Sequence, residues 1–236
     1  MIGTKSQASI FHESLCRKEV AILNGIVTNP TETDIKNACK EFDGNEKNNP
    51  DPALTKLFTQ YPRNTDFNIV LLKVVTLNTL YPTRIRVTSN RPTVYEVAAH
   101  IVELKIDDML DCASDNLVHE IADTEELARL LGKIKQYNYS FATKYCSWHK
   151  PNCYPIWDSR VDAYLWYLRE RGFIDSFKHQ ELKSYPKFKK IVTSFRCRNR
   201  LEKFTYKEID KFIWLNGGKL LTAREAAKEN KKQEAV

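Results

Sequence analysis

Glycine is scarce in this sequence, with 7 residues among 236. That argues against glycine-rich phosphate loops and against β folds dense in tight hairpins, which need residues that tolerate positive φ. No run approaches the roughly 20 apolar residues of a membrane span. The opening MIGTKSQASIFHESLC has no basic segment followed by an apolar core and a small-residue cleavage site, so no secretory signal is read and a soluble, cytoplasmic protein is expected. A reducing compartment makes the six cysteines (Cys16, Cys39, Cys112, Cys146, Cys153 and Cys197) free thiols in expectation. No CxxC pair occurs, and Cys146, His149 and Cys153 lack a fourth ligand, so neither a metal nor another cofactor is expected. There is no internal repeat.

What is present suits a globular chain. Hydrophobic residues make up 42% and charged residues 28%, enough for one large domain or two intimate subdomains. The net charge is +7 with a pI near 9.0, and 11% of residues are aromatic. Such a surface fits a polyanion with stackable bases, although a well-solvated basic surface has the same composition.

Apolar positions recur with helical spacing, and strict alternation is rare, so the expected fold class is all-α. Helices are read near 9–25, 32–42, 52–60, 66–80, 92–104, 106–112, 115–122, 124–133, 141–149, 159–171, 186–196 and 206–215. Thr93, Asp115 and Thr124 mark starts, Gly172 marks a stop, and the Gly217–Gly218 pair is expected to close the last strong helix. DGNEKNNPDP reads as a loop, and the tail from Ala223 as a frayed helix or disorder.

The densest stretch is FATKYCSWHKPNCYPIWDSRV, residues 141–161. A helix opens near Ser140, and its free N–H groups offer a phosphate site. Pro155 breaks the chain, and Asp158 stands where an N-cap would restart it. Spacing alone makes Asp158 a structural cap.

YPIWDSRVDAYL resembles the segment of the helix-hairpin-helix DNA glycosylase superfamily in which a proline precedes an aspartate at a helix start. SFATKYC resembles the second half of that family's hairpin, with Lys144 at the position of its lysine. FNIVLLKVVTLNTLYPTRI resembles its early helix, with Asn78 at the polar position that enters the DNA stack. The resemblance runs from about residue 66 to 171. The family's hairpin glycines are absent here, and Lys144 lies 14 residues before Asp158, about one helical turn short of the usual separation.

The resemblance implies two helical subdomains around an active-site cleft, one over 62–150 and one combining 1–61 with 151–236. It implies a monomeric, monofunctional enzyme that hydrolyses the N-glycosidic bond of a modified or damaged base in double-stranded DNA and leaves an abasic site. Asp158 would stabilise the developing positive charge on the sugar. Lys144 has three readings: an amine nucleophile, a phosphate-binding cation or a packed side chain, with the last two favoured by the shortened spacing. Asn78 and Tyr81 would fill the gap left by the extruded base, while Trp157, Trp148, Tyr154 and His149 would stack on it or hydrogen-bond it. Ser140, Thr143, Arg160 and Arg198 would meet the phosphate backbone.

Glycosylases resembling this chain include enzymes acting on glucosylated hydroxymethylcytosine in bacteriophage DNA, which implies antiviral defence as a role. Two other classes stay open: a non-catalytic helical DNA-binding module, and a protein-interaction factor with an incidental basic surface.

Overall fold

The computed structural model describes residues 25–44 and 49–234, with side chains described through residue 229. The helix expected over 9–25 lies outside the described residues except for Gly25. Among the described residues the fold is helical, with no β-strand and one isolated antiparallel bridge between Asp123 and Tyr137. The helices are α1 (Glu32–Asp43), α2 (Asp51–Gln60), α3 (Phe67–Leu80), α4 (Val94–Glu103), α5 (Asp107–Asp111), α6 (Leu117–Ala122), α7 (Glu125–Leu130), α8 (Tyr139–His149), α9 (Ser159–Glu170), α10 (Tyr185–Arg198) and α11 (Tyr206–Glu234), with a 3-10 turn at His179–Lys183.

Side chains set many of these starts. The Asp34 carboxylate of α1 accepts from the Thr31 N–H (2.7 Å). At α3, Asp66 accepts from the N–H groups of Asn68 and Ile69, and at α4, Glu96 reaches back to the Thr93 N–H (2.7 Å). Each satisfies a donor that the first helical turn leaves unpaired. Gly172, at φ +73, ends α9 in a conformation that only glycine adopts without strain.

Three boundary expectations fail for physical reasons. Asp115 does not open α6; Asn116 does, and Asp115 instead pairs with Lys189 at 2.6 Å. The helix expected over 124–133 stops at Leu130, with Gly132 at φ +62 in the turn that follows. The Gly217–Gly218 pair does not close the last helix, because α11 runs on to Glu234. A Cβ on Gly217 would lie 2.1 Å from the backbone oxygen of Arg160. These glycines let α11 approach the start of α9, and packing overrides their poor helix propensity.

Helix α11 packs along α9 and α1, α3 lies against α4, and α6 against α8, which α2 and α3 also touch. One contiguous apolar core extends from Ile26 to Leu220. Helix α8 runs through its middle, buried at every position from Tyr139 to Ser147 except Ser140. No helix among the described residues is long and apolar enough to cross a membrane.

Candidate active site

Helix α8 brings a lysine into this interior. Lys144 is 5% exposed, and its Nζ donates to Ser140 Oγ at 2.8 Å, one turn back on the same helix. Asp158 meets it from the start of α9. Its Oδ1 accepts from the N–H groups of Arg160 (2.9 Å) and Val161 (3.0 Å), while Oδ2 lies 3.7 Å from Lys144 Nζ. The cap and the charge pair therefore use different oxygens of one carboxylate. Burial lowers the pKa of Lys144, opposed by the negative charges of Asp158 and Asp210.

The pair sits on the wall of a cavity of about 730 Å³ that Trp157, Tyr81, Arg160 and Trp214 also line. The Arg160 guanidinium stacks 3.6 Å from the centre of the Trp214 ring, and Phe42 meets Trp214 edge-on at 5.5 Å. The Lys183 ammonium lies 3.2 Å from the centre of the Trp157 ring. Aromatic walls with one cation and one anion beside them could hold a flat, polar ring and stabilise charge next to it.

Asp51, Lys207 and Asp210 belong to this cluster but carry no motif and escaped the sequence reading. Lys207 pairs with Asp51 at 3.3 Å and lies 4.0 Å from the centre of the Trp148 ring. Tyr81 donates its hydroxyl to the other oxygen of Asp51. Asp210, one turn after Lys207 on α11, has an enclosed Oδ1 with no hydrogen-bond partner. Its pKa is pushed up to about 7 by burial and then by Asp158, against the lowering effect of Lys207 and Lys144. Two lysines thus face three carboxylates, and the unmatched carboxylate is the one that titrates near neutrality.

Other expected site residues lie elsewhere or are committed. Asn78 does not project outward: its Nδ2 donates to the Ile85 carbonyl (2.8 Å), and its Oδ1 accepts from the Ile85 N–H and Thr83 Oγ1. A side chain so engaged shapes its own turn. Tyr154 is fully buried and donates to the Ser114 carbonyl at 3.0 Å, so it cannot stack on a base. Thr143 is also fully buried; its Oγ1 accepts from the Trp157 N–H and donates within α8, which removes it from any phosphate. The start of α8 is not an open anion site, since Asn138 and Tyr139 are buried and Ser140 holds Lys144.

His149 and Trp148 line a different cavity, of about 1210 Å³. His149 Nε2 meets Asn64 Oδ1 at 3.1 Å, and burial pushes its pKa down to about 3, so the ring is neutral. Exposed Arg198 pairs with Asp175 at 3.2 Å and does not line the Lys144 cavity. Cys146 is buried, and burial raises its thiol well above the usual range. No group of three His, Cys, Asp or Glu side chains with metal-binding geometry occurs among the described residues.

A Haemophilus influenzae protein described as uncharacterized is 36% identical over 131 residues, which is 55% of this chain and 60% of that protein. The alignment thus spans less than two thirds of the relative. No solved structure matches the chain. The model of the HI_0787_N family, described as an N-terminal domain, matches residues 34–153. Lys144, Tyr81 and Asp51 lie inside that stretch, whereas Asp158 and Asp210 come from the chain beyond it. With half of its length matched, the chain belongs to the HI_0787_N family.

Proposed function

We propose that this protein is a DNA glycosylase of the helix-hairpin-helix type, with two helical lobes meeting at the Lys144–Asp158 cavity. The observation that carries the reading is the buried lysine opposite a helix-capping carboxylate, 3.7 Å apart on a cavity with aromatic walls. As the base departs, positive charge grows on the sugar, and Asp158 Oδ2 supplies a fixed counter-charge. The aromatic walls receive a base turned out of the stack. The substrate class is a modified base in DNA, including the enlarged cytosines of phage DNA.

A second reading concerns Lys144 and is favoured by its burial. Solvent-facing phosphate binding does not suit an amine that is 5% exposed. A desolvated lysine of lowered pKa is instead a nucleophile in waiting. Its nitrogen would bond to the anomeric carbon as the carbon–base bond breaks and the base leaves with the electron pair. Loss of an amine proton, with the bond between the anomeric carbon and the ring oxygen breaking and that oxygen taking the electron pair and a proton, then gives an open-chain imine that opens the way to strand scission.

The test is incubation with duplexes carrying uracil, oxidised purines, alkylated purines or phage-type cytosines, analysed with and without alkali. Base release with alkali-dependent breakage supports the hydrolytic form. Breakage without alkali, with a borohydride-trapped adduct that Lys144→Arg abolishes, supports the amine form. Binding without any base release sinks both and leaves a DNA-binding module.

A further inference from the structure

A groove of about 630 Å³ opens beside the Lys144 cavity, and Thr83 and Arg84 line both. One lip is the 81–91 segment, which presents Arg84, Arg86 and Arg91; all three are exposed, and none forms a salt bridge among the described residues. Arg84 stands at φ +67, a strained conformation for a residue with a Cβ. The three hydrogen bonds of Asn78 hold the turn that keeps it there. The other lip is the 133–137 segment, tied across by the Ile134 N–H to the Asn90 carbonyl at 2.8 Å. Its basic residues differ in kind: Lys133 pairs with Glu96 and Lys135 with Glu125. Unpaired positive charge thus gathers on one lip.

Tyr137 closes the groove, and its ring is half exposed (51%). It lies nearly parallel to His119 and Tyr139, with centroids about 6 Å apart, and Tyr139 in turn meets Trp157 at 5.2 Å. Aromatic rings in mutual contact therefore connect the open groove with the cavity wall. Tyr137 packs on His119 and Tyr139 and its hydroxyl meets His119 Nδ1, while the rest of its side chain stays open to solvent at the groove; such a ring has an apolar body that a base can meet.

We infer that this groove seats a DNA strand, with Arg84, Arg86 and Arg91 on successive phosphates and the Tyr137 ring stacked on an unpaired base. Free guanidinium groups match phosphate geometry, and an exposed aromatic beside them matches a base in any sequence. The inference rests on the proposed reading only in taking DNA as the polymer at the cavity. It adds a stacking contact at Tyr137 and, in place of the gap filling expected of Asn78, makes Asn78 the residue that positions Arg84.

The experiment uses full-length protein carrying Asp158→Asn and labelled DNA with one unpaired nucleotide, read by fluorescence anisotropy over a salt series. Adding Arg86→Glu and Arg91→Glu should weaken binding at low salt by at least about 10-fold and reduce the salt slope by about two. Tyr137→Ala should weaken the bulged DNA by about 10-fold and leave fully paired duplex within about 2-fold, and Tyr137→Phe should restore binding. Thermal melting checks that each variant folds, and the Phe variant keeps the ring if Ala unfolds the loop. Unchanged affinity and slope in the arginine variant, or equal losses on bulged and paired DNA in the tyrosine variant, would overturn the inference. Preference for RNA of the same sequence would overturn it too. Groove-dependent binding by a protein that releases no base upholds this inference while sinking the glycosylase reading; base release with groove-independent binding does the reverse.

Discussion

Two buried lysines face each other's opposite in design. Lys73 on α3 is fully buried, and its ammonium is held by neutral acceptors, the Arg63 carbonyl (2.9 Å) and Asn64 Oδ1 (3.0 Å). Burial lowers its pKa to about 8, with Asp107 opposing. The Asn64 side chain is itself pinned, donating to Asp107 Oδ1 and accepting from the Tyr145 hydroxyl. Lys144 is nearly as buried, yet it has one short hydrogen bond and a carboxylate at 3.7 Å on an open cavity. Desolvation alone does not distinguish a structural lysine from a reactive one. The difference lies in whether its donors are already spent and whether a ligand can reach them.

The sharpest way to break the comparison is to change the anionic partner of the cavity lysine, Lys144. Asp158→Asn keeps an oxygen to cap α9, and Lys144 can shed its proton when its counter-charge goes. Stability should therefore change by about 1 kcal/mol, while base release should fall by at least about 100-fold. Single-turnover assays beside chemical denaturation separate the two. Retained activity would remove Asp158 from the chemistry.

The converse experiment acts on the structural lysine. Asn64→Ala deletes the acceptor shared by Lys73, Tyr145 and His149, leaving a buried ammonium half satisfied. The expected loss is about 3 to 5 kcal/mol, a drop in Tm on the order of 10 °C for a chain of this size. Activity per folded molecule at low temperature should be unaffected. A loss of activity without a loss of stability would merge the two clusters into one site.

Legibility in the sequence divides along the same line. The helices were readable because apolar spacing is a local property, and the Asp158 cap because proline, aspartate and the following amphipathic run are neighbours. The partnership of Lys144 with Asp158 was suggested by resemblance, since a separation of 14 positions does not fix a distance. Asp51, Lys207 and Asp210 were not readable at all. Each is a charged residue on an amphipathic helix, and nothing local says that its face turns towards α8. Lys73 escaped for the same reason, and Thr143 was misread because a hydroxyl at a helix start serves a phosphate or a neighbouring backbone equally well.

Asp210 offers a smaller, pH-dependent test of the electrostatic cluster. Its pKa is raised in the folded state to about 7 from 3.8. The folded protein therefore holds a proton that the unfolded chain releases, and this contribution to stability is complete below about pH 4 and lost as pH rises through about 7. Asn imitates the protonated form at every pH. Asp210→Asn should match wild type near pH 4 and exceed it by about 2 to 4 kcal/mol at pH 8. Urea titrations at the two pH values measure the difference. A constant offset would show that the carboxyl is not strained by its neighbours.

The smallest effects separate the two glycines that carry α11 past α9. Gly217 meets the Arg160 backbone, where a Cβ would sit 2.1 Å from the carbonyl oxygen. Gly217→Ala must push the start of α9 away, at an expected loss of about 1 to 3 kcal/mol, and Asp158 moves with it. Activity should fall although neither charged residue has changed, while the Lys73 cluster is untouched. A Cβ on Gly218 would instead meet the Arg160 guanidinium at 3.3 Å, the far end of a flexible side chain. Gly218→Ala should then gain up to about 1 kcal/mol from helix propensity, reduced by whatever the shift of Arg160 takes from its stacking on Trp214. Paired melting curves and turnover assays give the contrast. If both alanines are neutral, the close approach of α11 does not position the carboxylate, and the geometry opposite Lys144 is set by the helix cap alone.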